Sequence, residues 1–145
     1  MRKIVIISGH GRYATGLQST LELLAGKNKD LFFVDFTEED TDETLKNKFM
    51  EILEENKDSE VLFVCDIIGG TPFKVAAAIS NFSPKMELVA GCNIGGILES
   101  VLMKDQLSLF ELAENMVEGS KKSTMVFKKI NGSASAFNVP EGEGI

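Results

Sequence analysis

His10 is the only histidine among the 145 residues, and it stands between Gly9 and Gly11 directly after the apolar run Ile4-Val5-Ile6-Ile7. An imidazole titrates near neutral pH and carries two distinct nitrogens, so it serves as nucleophile, base or proton relay. A short β-branched run ending in small residues reads as a buried parallel strand. His10 is thereby expected at the C-terminal end of that strand, the edge where open α/β sheets bind ligands. Gly9 and Gly11 allow a sharp turn and close approach of backbone to a ligand. The competing reading is an inert histidine.

A second candidate group ends the third apolar run. Asp66 closes Val61-Leu62-Phe63-Val64-Cys65, and in a flavodoxin-like strand order the first and third strands are neighbours, with the switch point between their C-terminal ends. A carboxylate accepting a hydrogen bond from one ring N–H fixes the tautomer and leaves the other nitrogen free. Alternatively Asp66 caps its own loop. That loop, Ile67-Ile68-Gly69-Gly70, leads into Thr71-Pro72-Phe73, which reads as a helix start with Thr71 as cap and Pro72 at the first helical position. The N–H groups of Gly70, Thr71 and Phe73 then face the same edge, an anion site suited to phosphate. A third loop, Gly91-Cys92-Asn93-Ile94-Gly95-Gly96, brings Asn93 to the rim or else uses it as a helix cap. Ile67 and Ile68 are candidates for an apolar docking rim, or for the core.

The elements that must position these groups alternate. Strand-like runs recur at 3–8, 31–36, 60–66 and 86–91. Between them lie helical periods: Leu17, Leu21 and Leu24; Leu45, Phe49, Ile52 and Leu53 behind a Thr41 cap; and Val75 to Ile79. Ser108 and Glu111 form a capping box ahead of Leu112, Ala113, Met116 and Val117. Such alternation predicts an α/β, doubly wound, mostly parallel open sheet of order 2-1-3-4 with helices on both faces. A last strand is expected at Thr124-Met125-Val126-Phe127, and residues 131–145, rich in Gly, Ser and Glu, read as a loosely held tail behind a single domain, 1–130.

Composition and inventory exclude several functions. A formal net charge of −7 argues against binding to nucleic acid or anionic membrane. Neither a metal site nor a cofactor is expected, because Cys65 and Cys92 form no CxxC pair or Cys/His cluster. They read as reduced structural thiols in a cytoplasmic protein. No apolar stretch approaches the ~20 residues that span a bilayer, and the N-terminal run stops at Ser8 without a cleavage site. There is no G-x-S-x-G elbow for a serine hydrolase. Gly9, Gly11 and Gly16 do not make G-x-G-x-x-G.

Taken together, Gly9-His10-Gly11 with Ala14 and Gly16, Asp66 with Gly69-Gly70-Thr71-Pro72-Phe73, and Gly91 with Asn93-Ile94 resemble the enzyme IIA component of the mannose-type bacterial sugar phosphotransferase system. The resemblance runs from Lys3 to about Phe127. It implies a phosphotransferase component: a phosphoryl carrier in which His10 accepts phosphate from the phosphohistidine of HPr and passes it to a IIB component. Asp66 would orient the ring, and membrane IIC and IID components would act downstream. The resemblance also implies a homodimer, an antiparallel C-terminal edge strand, and IIB on a separate polypeptide. Two positions depart from the family pattern: Gly95-Gly96 replace the usual proline and methionine, and Lys74 stands where asparagine is common. Two other readings stay open, a non-catalytic domain binding a small anion at Gly70-Thr71 and a receiver-like domain using Asp66.

Overall fold

The computed structural model describes residues 1–131. In chain order the elements are β1 (Lys3–His10), α1 (Tyr13–Ala25), β2 (Leu31–Phe36), α2 (Asp42–Glu55), β3 (Glu60–Cys65), α3 (Thr71–Ser80), β4 (Met86–Ala90), α4 (Ile94–Met103), a 3-10 turn (Lys104–Gln106) and α5 (Leu109–Lys122). The four strands are parallel in the order β2-β1-β3-β4, as the alternation predicts. β1 extends to His10, which pairs with Phe36, so the histidine is the last strand residue rather than the middle of a loop.

Alternation along the strands divides the core between two faces. Val5, Ile7, Leu62, Val64 and Val89 point to α1, α4 and α5. Ile4, Ile6, Val34, Val61 and Phe63 point to α2 and α3. Both faces being covered explains why β1 and β3 are apolar at nearly every position. Cys65 and Cys92 are buried and free, and they lie in opposite clusters. In α1, Leu21 is buried as the period requires, but Leu24 at the helix end is exposed.

Helix ends follow local chemistry. Thr41 caps α2 by accepting the Thr44 N–H at 3.2 Å, and Thr44 Oγ1 accepts the Thr41 N–H in return. Ser108 and Glu111 make the same reciprocal pair at α5. α1 has no such residue, since Arg12 gives no side-chain cap. Its third N–H, from Thr15, is instead taken by Asp35 on β2 at 3.0 Å, and the Thr15 hydroxyl donates to the same carboxylate. At the sheet's other edge Lys104 is buried between Asp30 (2.6 Å) and Asp105 (2.9 Å), with Arg2 also on Asp30.

One expectation is corrected here. Residues 124–127 form no strand; they are exposed and make no strand pairing among the described residues. One copy of the chain offers them no aligned edge, because α5 delivers them to the surface at Thr124, where the side chain is tied to Asn93. The expected tail, beyond Asn131, lies outside the described residues. No helix among them is long and apolar enough to cross a membrane.

Candidate functional site

The end of β1 and the start of the β3–α3 loop meet at Asp66. Its Oδ2 accepts both the backbone N–H of His10 at 2.9 Å and the ring Nδ1–H at 2.7 Å, while Oδ1 accepts the Ile67 N–H at 2.9 Å. Burial alone would push this carboxyl group up, but the hydrogen bonds from His10 and Ile67 outweigh it and hold the pKa below the usual range. Asp66 is therefore ionised and can only accept. In the neutral imidazole Nδ1 then carries the proton, and the Nε2 lone pair is free. One carboxylate oxygen holding both backbone and ring of one residue fixes the rotamer as well as the tautomer. The side chain nevertheless remains 43% exposed.

Three other groups shape the pocket around the ring. Phe36, the register partner of His10, meets the imidazole edge-on, with centroids 5.8 Å apart and planes at 86°. Gly11 follows β1 with φ +60° and donates its N–H to Phe36 O at 2.7 Å. That left-handed conformation costs a side chain roughly 1 kcal/mol or more, which is why glycine serves here. Gly70 lies against the ring itself: a Cβ there would stand 2.6 Å from His10 Cε1 and 3.3 Å from Nε2. The N-terminus of α3 is thus immediately beside the free nitrogen.

That helix starts one residue earlier than its sequence suggests. Gly70 is the cap, Thr71 the first helical residue and Pro72 the second. The Thr71 hydroxyl makes no capping bond and is left available. The N–H groups of Gly70, Thr71 and Phe73 have no acceptor among the described residues. They form the kind of donor set that takes a phosphoryl group at a helix N-terminus. Ile67 and Ile68, 56% and 78% exposed, are surface residues and not core. Gly9 flanks the histidine on the buried side.

Asn93 is the rim candidate that the structure moves elsewhere. Its Oδ1 caps α4 by accepting the Gly96 N–H at 2.9 Å, and its Nδ2 donates to Ser120 O and Thr124 Oγ1. It joins α4 to the end of α5, and both side-chain ends are spent on that task. Gly95 and Gly96 belong to the first turn of α4 rather than to a loop. A Cβ on Gly96 would come within 2.6 Å of Ser120 N and 2.7 Å of Met116 O, so this glycine permits close packing of α4 on α5. Sequence reasoning passed over Tyr13, Asp35 and Phe36. Their roles depend on where β1 and β2 end, and only the register supplies that. Among the described residues no cluster of three or more His, Cys, Asp or Glu could hold a metal ion.

A doubly wound parallel sheet with an aspartate-held histidine at its switch point defines an α/β domain that presents one imidazole nitrogen beside a helix N-terminus. Residues 3–117 match the EIIA-man family, described as the PTS system fructose IIA component. The chain is 33% identical over 123 residues to the fructose-specific EIIA component of the PTS system of Bacillus subtilis, covering 84% of each chain. It is 30% identical over 126 residues to the mannose-specific EIIAB component of Escherichia coli, spanning 86% of this chain and 39% of that protein. The mannose/sorbose specific IIA subunit from Enterococcus faecalis superposes with a TM-score of 0.83 at 25% identity, over 92% of this chain and all of that one. The chain belongs to the EIIA-man family of phosphotransferase-system components.

Proposed function

We propose that this chain is a phosphoryl carrier working through a phosphohistidine at His10. The observation that carries the reading is the 2.7 Å bond from Nδ1 to Asp66, which leaves Nε2 as the nucleophile. The Nε2 lone pair attacks phosphorus, a new N–P bond forms, and the donor's N–P bond breaks with its electron pair returning to the donor imidazole. The ring then carries a positive charge with its proton on Nδ1. The Asp66 carboxylate stabilises that charge, so the interaction strengthens as the bond forms. The N–H groups of Gly70, Thr71 and Phe73, with the Thr71 hydroxyl, receive the phosphoryl oxygens. The second transfer reverses these events onto an acceptor nitrogen.

The donor in this reading is HPr and the acceptor a IIB component, with IIC and IID acting on sugar downstream; the carrier works in the cytoplasm as a homodimer, without cofactor. Ile67 and Ile68 supply apolar docking surface beside the reactive ring. The family membership and the exposed, oriented nitrogen support this. Incubation with phosphoenolpyruvate, enzyme I and HPr is expected to leave a label on the chain that is base-stable, acid-labile and absent from His10→Ala. An acyl phosphate on Asp66, or no covalent phosphate, would overturn the reading in favour of a receiver-like or anion-sensing domain.

A further inference from the structure

Gly9 is crowded on the side away from solvent. A Cβ there would stand 2.5 Å from Tyr13 Cδ1, 2.7 Å from Tyr13 Cγ and 2.9 Å from Asp66 Cγ. The Tyr13 ring and the Asp66 carboxyl group therefore converge over the same α-carbon. The ring leaves the first residue of α1 and packs on the cluster formed by Val5, Ile7, Val64 and Cys92. Burial raises the Tyr13 phenol to about 12, and the Asp66 charge adds to the rise. Cys92 shares the cluster on which the ring packs and Cys65 lies across the sheet, and burial pushes both thiols up, Cys65 to about 12. Of these three groups, Asp66 is the one that is charged near neutral pH. The phenol hydroxyl makes no hydrogen bond among the described residues, so the ring and not the hydroxyl is what the site uses.

We propose that Tyr13 is a positioning residue whose ring covers the Asp66 carboxylate, keeps water from its oxygens and so holds the single Nδ1–H arrangement that presents Nε2 of His10. Water reaching Asp66 would compete for Oδ2 and weaken the bond through its high dielectric. The imidazole would then exchange tautomers, and part of the population would carry its proton on Nε2, where it blocks attack. Gly9 is glycine because ring and carboxylate both occupy the space of its missing side chain. The inference rests on the phosphoryl-carrier reading for its consequence, but not for its spectroscopic part.

The single histidine makes the test direct, because ring ¹⁵N chemical shifts report its tautomer without any assignment. The wild type is expected to show the Nδ1–H form. Tyr13→Ser should show mixed tautomers and a transfer rate from phosphorylated HPr lower by about 10–100-fold, the usual scale for orienting partners. Tyr13→Phe and Tyr13→Leu should rescue both readouts. If Tyr13→Ser does not fold, Tyr13→Ala, which removes the ring without crowding the carboxylate, gives the same two readouts. A Tyr13→Ser protein with the wild-type tautomer would overturn the proposal, and so would a Tyr13→Phe protein as impaired as Tyr13→Ser, since the hydroxyl would then be the active part. If the wild type takes no phosphate, the carrier reading fails while the nitrogen shifts still decide the role of Tyr13.

Discussion

Three hydrogen bonds converge on Asp66, two of them from one residue, and this sharing is what converts a mobile imidazole into an oriented one. The carboxylate acts as a hinge pin between β1 and the loop after β3. Gly70 closes the other side. Its backbone angles, φ −73° and ψ 169°, suit any residue, so Gly70→Ala is expected to fold with little loss of stability. The added Cβ would stand 2.6 Å from Cε1 and push the ring out of line, so transfer should fall by about tenfold or more, as for small misplacements of reacting atoms. Single-turnover transfer and a melting curve on one preparation check both halves. A rate within twofold of wild type would show that the ring has room to yield. Thr71→Ala should leave the melting temperature unchanged, because the hydroxyl caps nothing, and any slowing of transfer is then assigned to the lost phosphate contact.

At the scale of elements, the loops at the active edge are held from outside themselves. α1 is capped by Asp35 from β2, and α4 by Asn93, which is fastened to Ser120 and Thr124 at the end of α5. The helix pair α4 and α5 is close enough that Gly96 has no room for a methyl group. Gly96→Ala is accordingly expected to destabilise the fold by roughly 1–3 kcal/mol, the usual scale of overpacking. Because the atoms in the way are backbone of Met116 and Ser120, side-chain rotation does not relieve the clash. Urea unfolding measures it, and an unchanged midpoint would contradict the packing described. Gly95 differs, since the one close contact of its Cβ would be the Ser123 side chain, at 2.9 Å from Oγ, with Asn93 Oδ1 at an ordinary 3.6 Å, so Gly95→Ala should be much milder.

Across the whole molecule, four carboxyl groups among the described residues titrate below their usual range, and at the α5 cap it is the hydrogen bonds with Ser108 that hold Glu111 down. Thr37 and Lys48 hold Asp40 down. At Asp30 burial acts upward, but Lys104 and Arg2 outweigh it, and at Asp66 the bonds from His10 and Ile67 do the same. A depressed folded-state pKa means that the unfolded chain binds protons first as pH falls. The stability from these groups is therefore complete above about pH 4, the ordinary carboxylate range, and declines below it. Urea midpoints should be level from pH 7 to 5 and drop steadily toward pH 3; a flat profile to pH 3 would show that these bonds stabilise nothing. The exposed run Met125, Val126 and Phe127 leaves α5 unpaired, and unpaired apolar segments of this kind pair with sheet edges of other copies. Removing residues 125–145, which spares the Asn93–Thr124 tie, should weaken the proposed homodimer in light scattering, whereas a full-length protein that is monomeric at micromolar concentration would count against the dimer.

While the last strand expected at 124–127 did not form, the sequence by itself determined the four parallel strands and their order in the sheet, the alternation with helices, and the prominence of His10, Asp66 and the Gly70-Thr71 turn. These were legible because the signals are local: β-branched runs set the strands, the Thr41 cap and the Ser108–Glu111 capping box set two helix starts, and glycines mark the turns beside the reactive groups. The alternation of strand and helix then restricts the topology to a handful of right-handed arrangements. What only the tertiary structure decided is which side chains meet. Asn93 caps α4 because the end of α5 arrives beside it. α3 starts at Thr71 with Gly70 as its cap because the imidazole occupies the space where a Gly70 side chain would lie. Tyr13 and Phe36 flank the site because the register of β1 against β2 and β3 brings the ends of three strands together. Such contacts join residues up to 56 positions apart, as His10 and Asp66 are, and no periodicity along a chain encodes a distance across a fold.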